Sequence, residues 1–295
     1  MASNDASDQD SALHIMYSMI EPLTAANVRG VRLPWLSRFN YANLSAHLEE
    51  NPGKSLRVVG TNEYIIGERW RRRDDIANIR EVGARKHKRL LVEGLVRELE
   101  ADGSKLVLVN EDVWRDEVGL FSELGFGLIE RIVFFDRNIP VKGSRDDRGW
   151  DVEVPALEYS VATMADLDAL LEVDHTSFPW LWWNSRDEMG NYLLMKDVVV
   201  FLARLDGEPV GYASFTMYNG WSHLDRLAVV EAQQGHGYGA AQLVNVMREM
   251  QSRGARNVGL STQEQNVQSH RLYKRFDFRL GRESMALYGR WAKER

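Results

Sequence analysis

The chain has 295 residues, which is enough for one large domain or two of ordinary size. Its 44% hydrophobic and 27% charged residues are typical of globular proteins, and no apolar run approaches the ~20 residues that cross a membrane. The net charge of −6 argues against a general nucleic-acid-binding protein, and the absence of cysteine excludes disulfides, thiolate metal sites and covalent cysteine catalysis.

The N-terminal segment, residues 1–12, is polar and acidic. It lacks the basic start and apolar core of a secretion signal. We therefore expect residues 1–12 to be a disordered tail, and the sequence favours a cytoplasmic protein by default.

The first half of the chain predicts a mixed arrangement of strands and helices. Short apolar runs rich in β-branched residues indicate strands, and apolar residues spaced three or four apart indicate helices. The predicted order is strand 56–59, strand 64–70, strand 76–82, helix 89–100, strand 105–109, helix 113–124 and strand 128–135.

A segment rich in glycine, serine and aspartate follows, and it predicts a linker at residues 141–154. The second half then repeats the order of the first. Its predicted elements are strand 159–162, helix 165–174, strand 198–204, strand 210–217, strand 224–230, helix 240–253, strand 258–262, helix 268–275 and strand 284–289.

Short sequence matches between the halves indicate a tandem duplication. Pro34-Trp35-Leu36 recurs as Pro179-Trp180-Leu181, and Phe121–Phe126 matches Tyr273–Phe278. The offset drifts between 144 and 152 residues, as small loop insertions would cause. We therefore predict one domain at residues 13–140 and a second at residues 155–295.

A glycine-rich stretch, Gln234–Gly239, lies between a predicted strand and a predicted helix. Glycines at such a turn let several backbone N–H groups point at one phosphate, and the helix start favours an anion. Taken alone, these glycines are also compatible with a flexible loop.

Residues further along the chain decide between these two interpretations. Gln234, Gly237 and Gly239 fit the pattern Gln/Arg-x-x-Gly-x-Gly/Ala. A second set of residues follows at the spacing of another signature: Asn266, Ser269, Tyr273 and Phe278. In both respects the chain resembles the GNAT acyltransferase superfamily, over residues 159–290, with a degenerate copy over 17–137. Asp277 stands where the family has glycine, and we expect the left-handed turn to be kept.

The resemblance implies an α/β (α+β) fold of two tandem GNAT-like domains, each a mixed, mostly antiparallel sheet flanked by helices. It implies acetyl-CoA as co-substrate, with no metal. The strand before the glycine loop and the strand at 258–262 are expected to splay apart around the pantetheine arm. The residues implied in CoA binding are Leu227, Ala228, Val229, Gln234, Gly235, His236, Gly237, Tyr238, Gly239, Ala240, Asn266, Ser269 and Tyr273.

The chemistry that the resemblance implies needs a base for the amine and an acid for the leaving thiolate. Tyr273 holds the position of the acid in many relatives, and the alternative is that it only packs or binds CoA. His223 and Asp225 are the candidate bases, because they share one face of a strand and histidine titrates near neutrality. The alternative is that His223 is merely exposed and Asp225 pairs with Arg226 or another cation.

Two further histidines are weaker candidates for the base. They are His175 and His270, and His270 lies near Tyr273 on the same predicted helix. His236 lies in the glycine loop, and we expect it to contact phosphate or solvent.

An aromatic cluster follows the first helix of the second half, and the family places the wall of the acceptor pocket there. We predict an acceptor site that includes Phe178, Trp180, Trp182, Trp183 and Trp221. A core plug, or an interface with the other half, explains the cluster equally well. The acceptor is predicted to be a small-molecule or peptide amine, with no nucleic acid and no membrane as partner.

The first half is predicted to be non-catalytic. Gly83–Arg89, which matches the glycine loop, has lost the later glycines, and Phe121 replaces Tyr273. The basic runs 69–73 and 85–89 are interpreted as a solvated face rather than an anion site. A fused inactive half can mimic a second subunit, so we expect either a monomer with two similar halves or a homodimer.

Three functions remain compatible with these residues. The leading one is an acyl-CoA-dependent N-acyltransferase that transfers acetyl to a primary amine by direct attack on the thioester. An acyl-CoA-binding sensor or regulatory module without turnover is the alternative. A nucleic-acid or protein-docking module that uses the basic runs is weakened by the acidic net charge.

Overall fold

The computed structural model describes residues 18–141 and 153–292. The predicted tail at 1–12 and nearly all of the predicted linker at 141–154 lie outside the described residues. The described residues divide into two compact units. Unit 1 consists of residues 18–130 with 286–292, and unit 2 consists of residues 131–141 with 153–285.

Twelve strands are numbered in chain order among the described residues. They are β1 Ile20–Pro22, β2 Ser55–Val58, β3 Tyr64–Arg69, β4 Ile76–Gly83, β5 Leu106–Val109, β6 Gly127–Asn138, β7 Glu158–Val161, β8 Val198–Leu205, β9 Glu208–Tyr218, β10 Trp221–Val229, β11 Asn257–Gln263 and β12 Arg279–Trp291.

The α-helices follow the same convention. They are α1 Tyr41–Glu50, α2 Lys88–Ala101, α3 Glu111–Asp116, α4 Val118–Glu123, α5 Leu167–Ser177, α6 Arg186–Leu193, α7 Tyr238–Ser252 and α8 Val267–Arg275.

Unit 1 contains a sheet with the order β1-β2-β3-β4-β5-β12, in which β4 and β5 are parallel and the other pairs are antiparallel. Helix α2 presents apolar residues such as Leu91 and Leu95 to one core. Leu44 and Leu48 of α1 belong to a second core with Tyr64. Helices therefore cover the sheet of unit 1 through two separate cores.

Unit 2 repeats this design with the order β6-β11-β10-β9-β8-β7, in which β10 and β11 are the parallel pair. Leu243 and Met247 of α7 belong to the larger core. Leu170 and Val173 of α5 belong to the other. The predicted fold class, two tandem domains that each contain a mixed and mostly antiparallel sheet flanked by helices, is confirmed.

The last strand of each unit comes from the other half of the sequence. In unit 2, residues Ile132–Asn138 of β6 pair with β11. In unit 1, residues Tyr288–Trp291 of β12 pair with β5. The compact units therefore differ from the sequence halves 13–140 and 155–295 by one strand each. The two strands have similar lengths, 12 and 13 residues, and strand propensity does not specify which neighbour each one pairs with.

Several short elements were not predicted. Helix α1 begins at a capping box in which the side chains of Asn40 and Asn43 each accept a backbone N–H of the other residue. The predicted helix 113–124 is instead two helices, α3 and α4, separated at Glu117. Strand β1 and helix α6 were missed because each is short and flanked by loop. Among the described residues, no helix has the length and apolar character needed to cross a bilayer.

Candidate active site

A gap opens in unit 2 between β10 and β11. The two strands pair only over Trp221–Leu224 and Asn257–Leu260. On the other side of β10, Leu224 pairs with Phe215 and Arg226 with Ser214, so Asp225 is the extra residue of a β-bulge. A bulge bends its strand and increases the local twist. The C-terminal part of β10 therefore has β9 as its neighbour but not β11, as the predicted splay requires.

The backbone of Leu227 and Val229 faces this gap. The Val230 N–H donates to Val210 O at 3.0 Å, on the β9 side. Backbone groups of successive residues point to opposite sides of a strand, so those of Val229 and Leu227 point away from β9. Val229 O accepts from Gln234 Nε2 at 3.0 Å, which ties the strand end to the glycine loop. Ala228, in contrast, is buried, and its carbonyl accepts from Gln242 at 2.8 Å.

The glycine loop opens α7 with a row of backbone donors. Gly235 and Gly237 have φ values of +82° and +87°, a left-handed conformation that glycine adopts without strain. Within the described chain, no protein acceptor takes a hydrogen bond from the backbone N–H groups of residues 235–240. Together with the positive end of the α7 dipole, these donors form an anion-binding arrangement.

His223 and Asp225 form a hydrogen-bonded pair. Nδ1 of His223 lies 2.8 Å from Oδ1 of Asp225. The second carboxylate oxygen accepts from Thr216 Oγ1 at 2.6 Å and from the Tyr192 hydroxyl. Burial, and then the charge of Asp225, raises the pKa of Tyr192, so its phenol stays protonated and keeps donating. Nδ1 of His223 is thereby engaged, and Nε2 is the nitrogen left for proton transfer.

A buried ion pair lies beside this site. Arg226 donates to the fully buried Asp174, which also accepts from the Tyr212 hydroxyl at 2.5 Å and from the Asn184 backbone N–H at 2.8 Å. Burial opposes the charge, but the Tyr212 hydroxyl and the Asp174 carboxylate raise the pKa of Arg226. The alternative that Asp225 pairs with Arg226 is wrong, because Arg226 is held by Asp174.

The arginine of this ion pair also contacts the predicted acceptor segment, residues 178–183. Arg226 donates to Trp182 O at 2.8 Å, and its guanidinium lies 3.9 Å from the centre of the Phe178 ring. Trp183 donates from Nε1 to Phe178 O at 2.7 Å and stacks on His175 at 4.7 Å. The segment, which includes Trp180, is half-buried and held in shape. Its contact with an acceptor stays a prediction.

Tyr273 lies on α8 and is only 5% exposed. Its ring lies 5.8 Å from that of Phe135 and 5.7 Å from that of Phe278. Burial raises the pKa of Tyr273 above its ordinary value of 10.0, so the phenol is protonated at neutral pH, whereas the Ser269 hydroxyl has a smaller, opposite effect.

The ends of α8 explain the other residues of its signature. Asn266 caps the start of α8 by accepting the Ser269 N–H at 3.0 Å. Asp277 follows the helix with a φ of +57°, so the left-handed turn is kept, as expected. Arg137 of β6 donates to the carbonyl of Phe276, which holds the C-terminal end of α8. The sequence analysis did not identify Arg137.

The comparison with protein families agrees with this geometry. The sequence model of the Acetyltransferase (GNAT) family matches residues 165–278. Those residues are a GNAT-family acetyltransferase domain. No curated protein matches the sequence significantly.

Solved structures extend the likeness to most of the chain. A GCN5-related N-acetyltransferase from Kribbella flavida matches with a TM-score of 0.64 and 14% identity, over 92% of this chain and 70% of that one. A second, from Sphaerobacter thermophilus, matches with a TM-score of 0.52 and 16% identity, over 92% of this chain and 95% of that one. At these identities the likeness concerns the fold. Residues 165–278, which lie in unit 2, are therefore assigned to the GNAT family, and the described chain as a whole has a fold like that of these GNAT structures.

The histidines of the GNAT domain other than His223 have structural partners. Nε2 of His175 lies 2.9 Å from Asn184 O, and Nε2 of His270 lies 3.1 Å from Gln263 O. His236 is exposed in the glycine loop and stacks on Tyr238 at 5.9 Å. Across residues 18–141 and 153–292, no group of three or more His, Asp or Glu side chains is placed to hold a metal ion.

The GNAT-like unit 1 carries its own anion at the matching helix start. The Glu63 carboxylate accepts the backbone N–H groups of Arg85 at 2.7 Å, Lys86 at 2.8 Å and His87 at 3.1 Å. Although burial alone would raise it, the pKa of Glu63 is lowered to about 2, chiefly by the N–H groups of Lys86 and Arg85. No motif spacing points to Glu63, because it is a single glutamate 22 residues before Arg85.

Five basic residues of the two runs in unit 1 pair with carboxylates of the same unit, and their interpretation as a solvated face stays a prediction. The ion pairs join Arg69 to Asp74, Arg72 to Glu50, Arg73 to Asp75, Lys88 to Glu117 and Arg89 to Glu123. Phe121, at the position of Tyr273, is fully buried and has no hydroxyl. Strand β4 nevertheless retains a bulge, at Arg80.

Proposed function

We propose that unit 2 transfers an acyl group, most simply acetyl, from acetyl-CoA to the primary amine of a small molecule or peptide. The observation that carries this proposal is the row of backbone N–H donors at residues 235–240, which lies at the start of α7 directly after the strand that bears His223 and Asp225. The family match supports acetyl transfer in general; the residue roles below are our own assignments.

Two features bind acetyl-CoA in this proposal: the glycine loop, and the gap between β10 and β11. The diphosphate binds to the N–H groups of residues 235–240, with charge complementarity from the helix dipole. The pantetheine amides pair with the outward-facing backbone of Leu227 and Val229. Ala228 and Gln234 act indirectly, since each supports the strand through a carbonyl on β10. Asn266 and Ser269 set the start of α8 and so place Tyr273.

Each proton transfer in the proposed reaction is assigned to a residue at the site. The ammonium form of the acceptor gives a proton to Nε2 of His223, and Asp225 stabilises the imidazolium that forms. The neutral amine attacks the thioester carbonyl, and the oxyanion accepts the Val229 N–H. When the tetrahedral intermediate collapses, the C–S bond breaks and the protonated phenol of Tyr273 donates to the CoA thiolate. The nitrogen then gives up its second proton, which restores the phenol, and His223 releases the first proton to solvent. The products are the N-acetyl amide, CoA and one proton.

One experiment tests the proposal. The purified chain is incubated with acetyl-CoA and a pool of primary amines, with CoA release followed by a thiol reagent and products by mass spectrometry. We expect steady CoA release with a matching gain of one acetyl group on an amine, and a loss of about 100-fold in His223→Gln. Binding of acetyl-CoA without turnover by any amine would instead establish the alternative, an acyl-CoA sensor.

A further inference from the structure

Two exposed aromatic rings sit on a rigid hairpin next to the proposed base. Tyr218 ends β9 and Trp221 begins β10, and their ring centres are 6.1 Å apart. The two residues between them, Asn219 and Gly220, both have positive φ, at 43° and 85°. This two-residue turn matches the twist of the strands and is conformationally well defined. The rings are therefore presented on a fixed support.

The rings of Trp221 and His223 both pack over the neighbouring strand β11. Their ring centres are 6.0 Å apart. A Cβ atom on Gly259 would lie 2.8 Å from Cζ2 of Trp221 and 3.8 Å from Cδ2 of His223. Both rings thus lie over the bare backbone of Gly259 on β11. Trp221 is nevertheless 41% exposed and Tyr218 is 55% exposed, so each ring keeps an open face.

Two exposed apolar side chains and the exposed, charged Lys196 and Asp197 follow α6. Leu194 and Met195 follow α6, whose Tyr192 contacts Asp225, and they are 71% and 56% exposed. Asp225 itself is occupied by His223, Thr216 and Tyr192, so its carboxylate is already engaged. An acceptor that reaches His223 from this side meets the rings of Trp221 and Tyr218. Asp136, which is exposed and pairs with Gly259 in the β6–β11 ladder, adds a carboxylate to the same face.

We propose that the acceptor is a primary amine that carries an aromatic ring, which stacks on Trp221 and Tyr218 while its amine reaches His223. This inference rests on the proposed acyl transfer at the same site. Offset or edge-to-face contact between rings adds to the free energy of removing both from water. Burial of one phenyl ring against these side chains corresponds to a preference of roughly 10- to 100-fold in kcat/KM over an amine without the ring.

The test compares 2-phenylethylamine with ethylamine as acceptors in the wild-type chain and in Trp221→Ala. We expect the wild-type chain to prefer 2-phenylethylamine by roughly 10- to 100-fold in kcat/KM. In Trp221→Ala that preference falls to within about threefold of unity, mainly through KM, since contact energy on a remote group is lost. Tyr218→Ala lowers it partly. Val161→Ala removes an exposed apolar side chain from the edge strand β7, and it leaves the preference unchanged.

A binding measurement separates this inference from the proposed function. Calorimetric titration of 2-phenylethylamine into the chain saturated with CoA needs no turnover, and Trp221→Ala should weaken that binding about tenfold or more. Binding without acetyl transfer would leave the aromatic site standing and remove the proposed transfer. Equal use of both amines, or equal weakening in Val161→Ala, would overturn the aromatic site whether or not the chain is active.

Discussion

Nδ1 of His87 lies 2.5 Å from the carboxylate of Glu63, and this contact completes a ring of four donors around Glu63 at the start of α2. At the matching helix start in unit 2, the backbone donors of the glycine loop have no acceptor within the described chain. In unit 1 the anion at this helix start is therefore a side chain of the chain itself, and the backbone donors of residues 85–87 are already engaged.

Glu63→Gln should destabilise unit 1 by about 2 kcal/mol at pH 7, because a charged cap at a helix start is replaced by a neutral one. The folded pKa of about 2 lies below the ordinary 4.5, so the stabilisation is complete above pH 4.5 and is lost as the pH falls towards 2. Urea unfolding of the wild-type chain and the variant between pH 7 and pH 2 measures this difference. The control is Glu123→Gln, an exposed partner of Arg89. A difference that does not shrink on acidification would contradict this role of Glu63.

Gly237→Ala should weaken acetyl-CoA binding by about tenfold or more. A side chain at a φ of +87° is strained, and its Cβ would lie 3.1 Å from Cδ of Pro155. The matched control is Gly207→Ala, which is equally strained at a φ of +84° but has open space around it. Calorimetry should give one CoA per chain in the wild type, because Glu63 occupies the other helix start. Two equivalent CoA molecules per chain, or equal losses in both variants, would count against the assignment of the loop.

Tyr273→Phe should lower kcat by about 100-fold while leaving the affinity for acetyl-CoA nearly unchanged. The substitution removes only the hydroxyl, so the packing of the ring against Phe135 and Phe278 is kept. Steady-state kinetics and acetyl-CoA titration measure the two quantities separately. Ser269→Ala, one turn before Tyr273 on α8, serves as a control that keeps the phenol. If kcat in Tyr273→Phe equals that of the wild type at neutral pH, Tyr273 is a packing residue.

Arg226→Met should destabilise the chain by about 3 kcal/mol, because Asp174 would remain buried without its cation. The double variant Asp174→Asn with Arg226→Met should recover part of that loss, since neither side chain is then charged. Urea unfolding gives both free energies. Additive losses in the double variant would show that the two side chains do not depend on each other.

Local sequence patterns were sufficient to predict most of the strands and helices and the family. The glycine loop and the Asn266–Phe278 signature are short, contiguous patterns, and each depends on local geometry: positive φ at Gly237 and Asp277, and a helix cap at Asn266. The pairing of His223 with Asp225 was within reach for the same reason, because alternate residues of a strand share a face.

The residues that the sequence analysis missed act over long separations. Asp174 and Arg226 are 52 positions apart, and Arg137 and Phe276 are 139 apart. No spacing rule links such pairs, since only the packing of separate elements brings them together. The braced aromatic segment and the held end of α8 are consequences of those contacts.

By itself, the sequence determined that residues 165–278 form a GNAT domain and that this domain carries the glycine loop, because both depend on short-range backbone requirements. Only the tertiary structure decided that β6 completes the sheet of unit 2, that β12 completes the sheet of unit 1, and that Glu63 caps the start of α2. Strand partners and buried charges are chosen by the contacts available after the chain folds, and a local pattern of residues does not specify them.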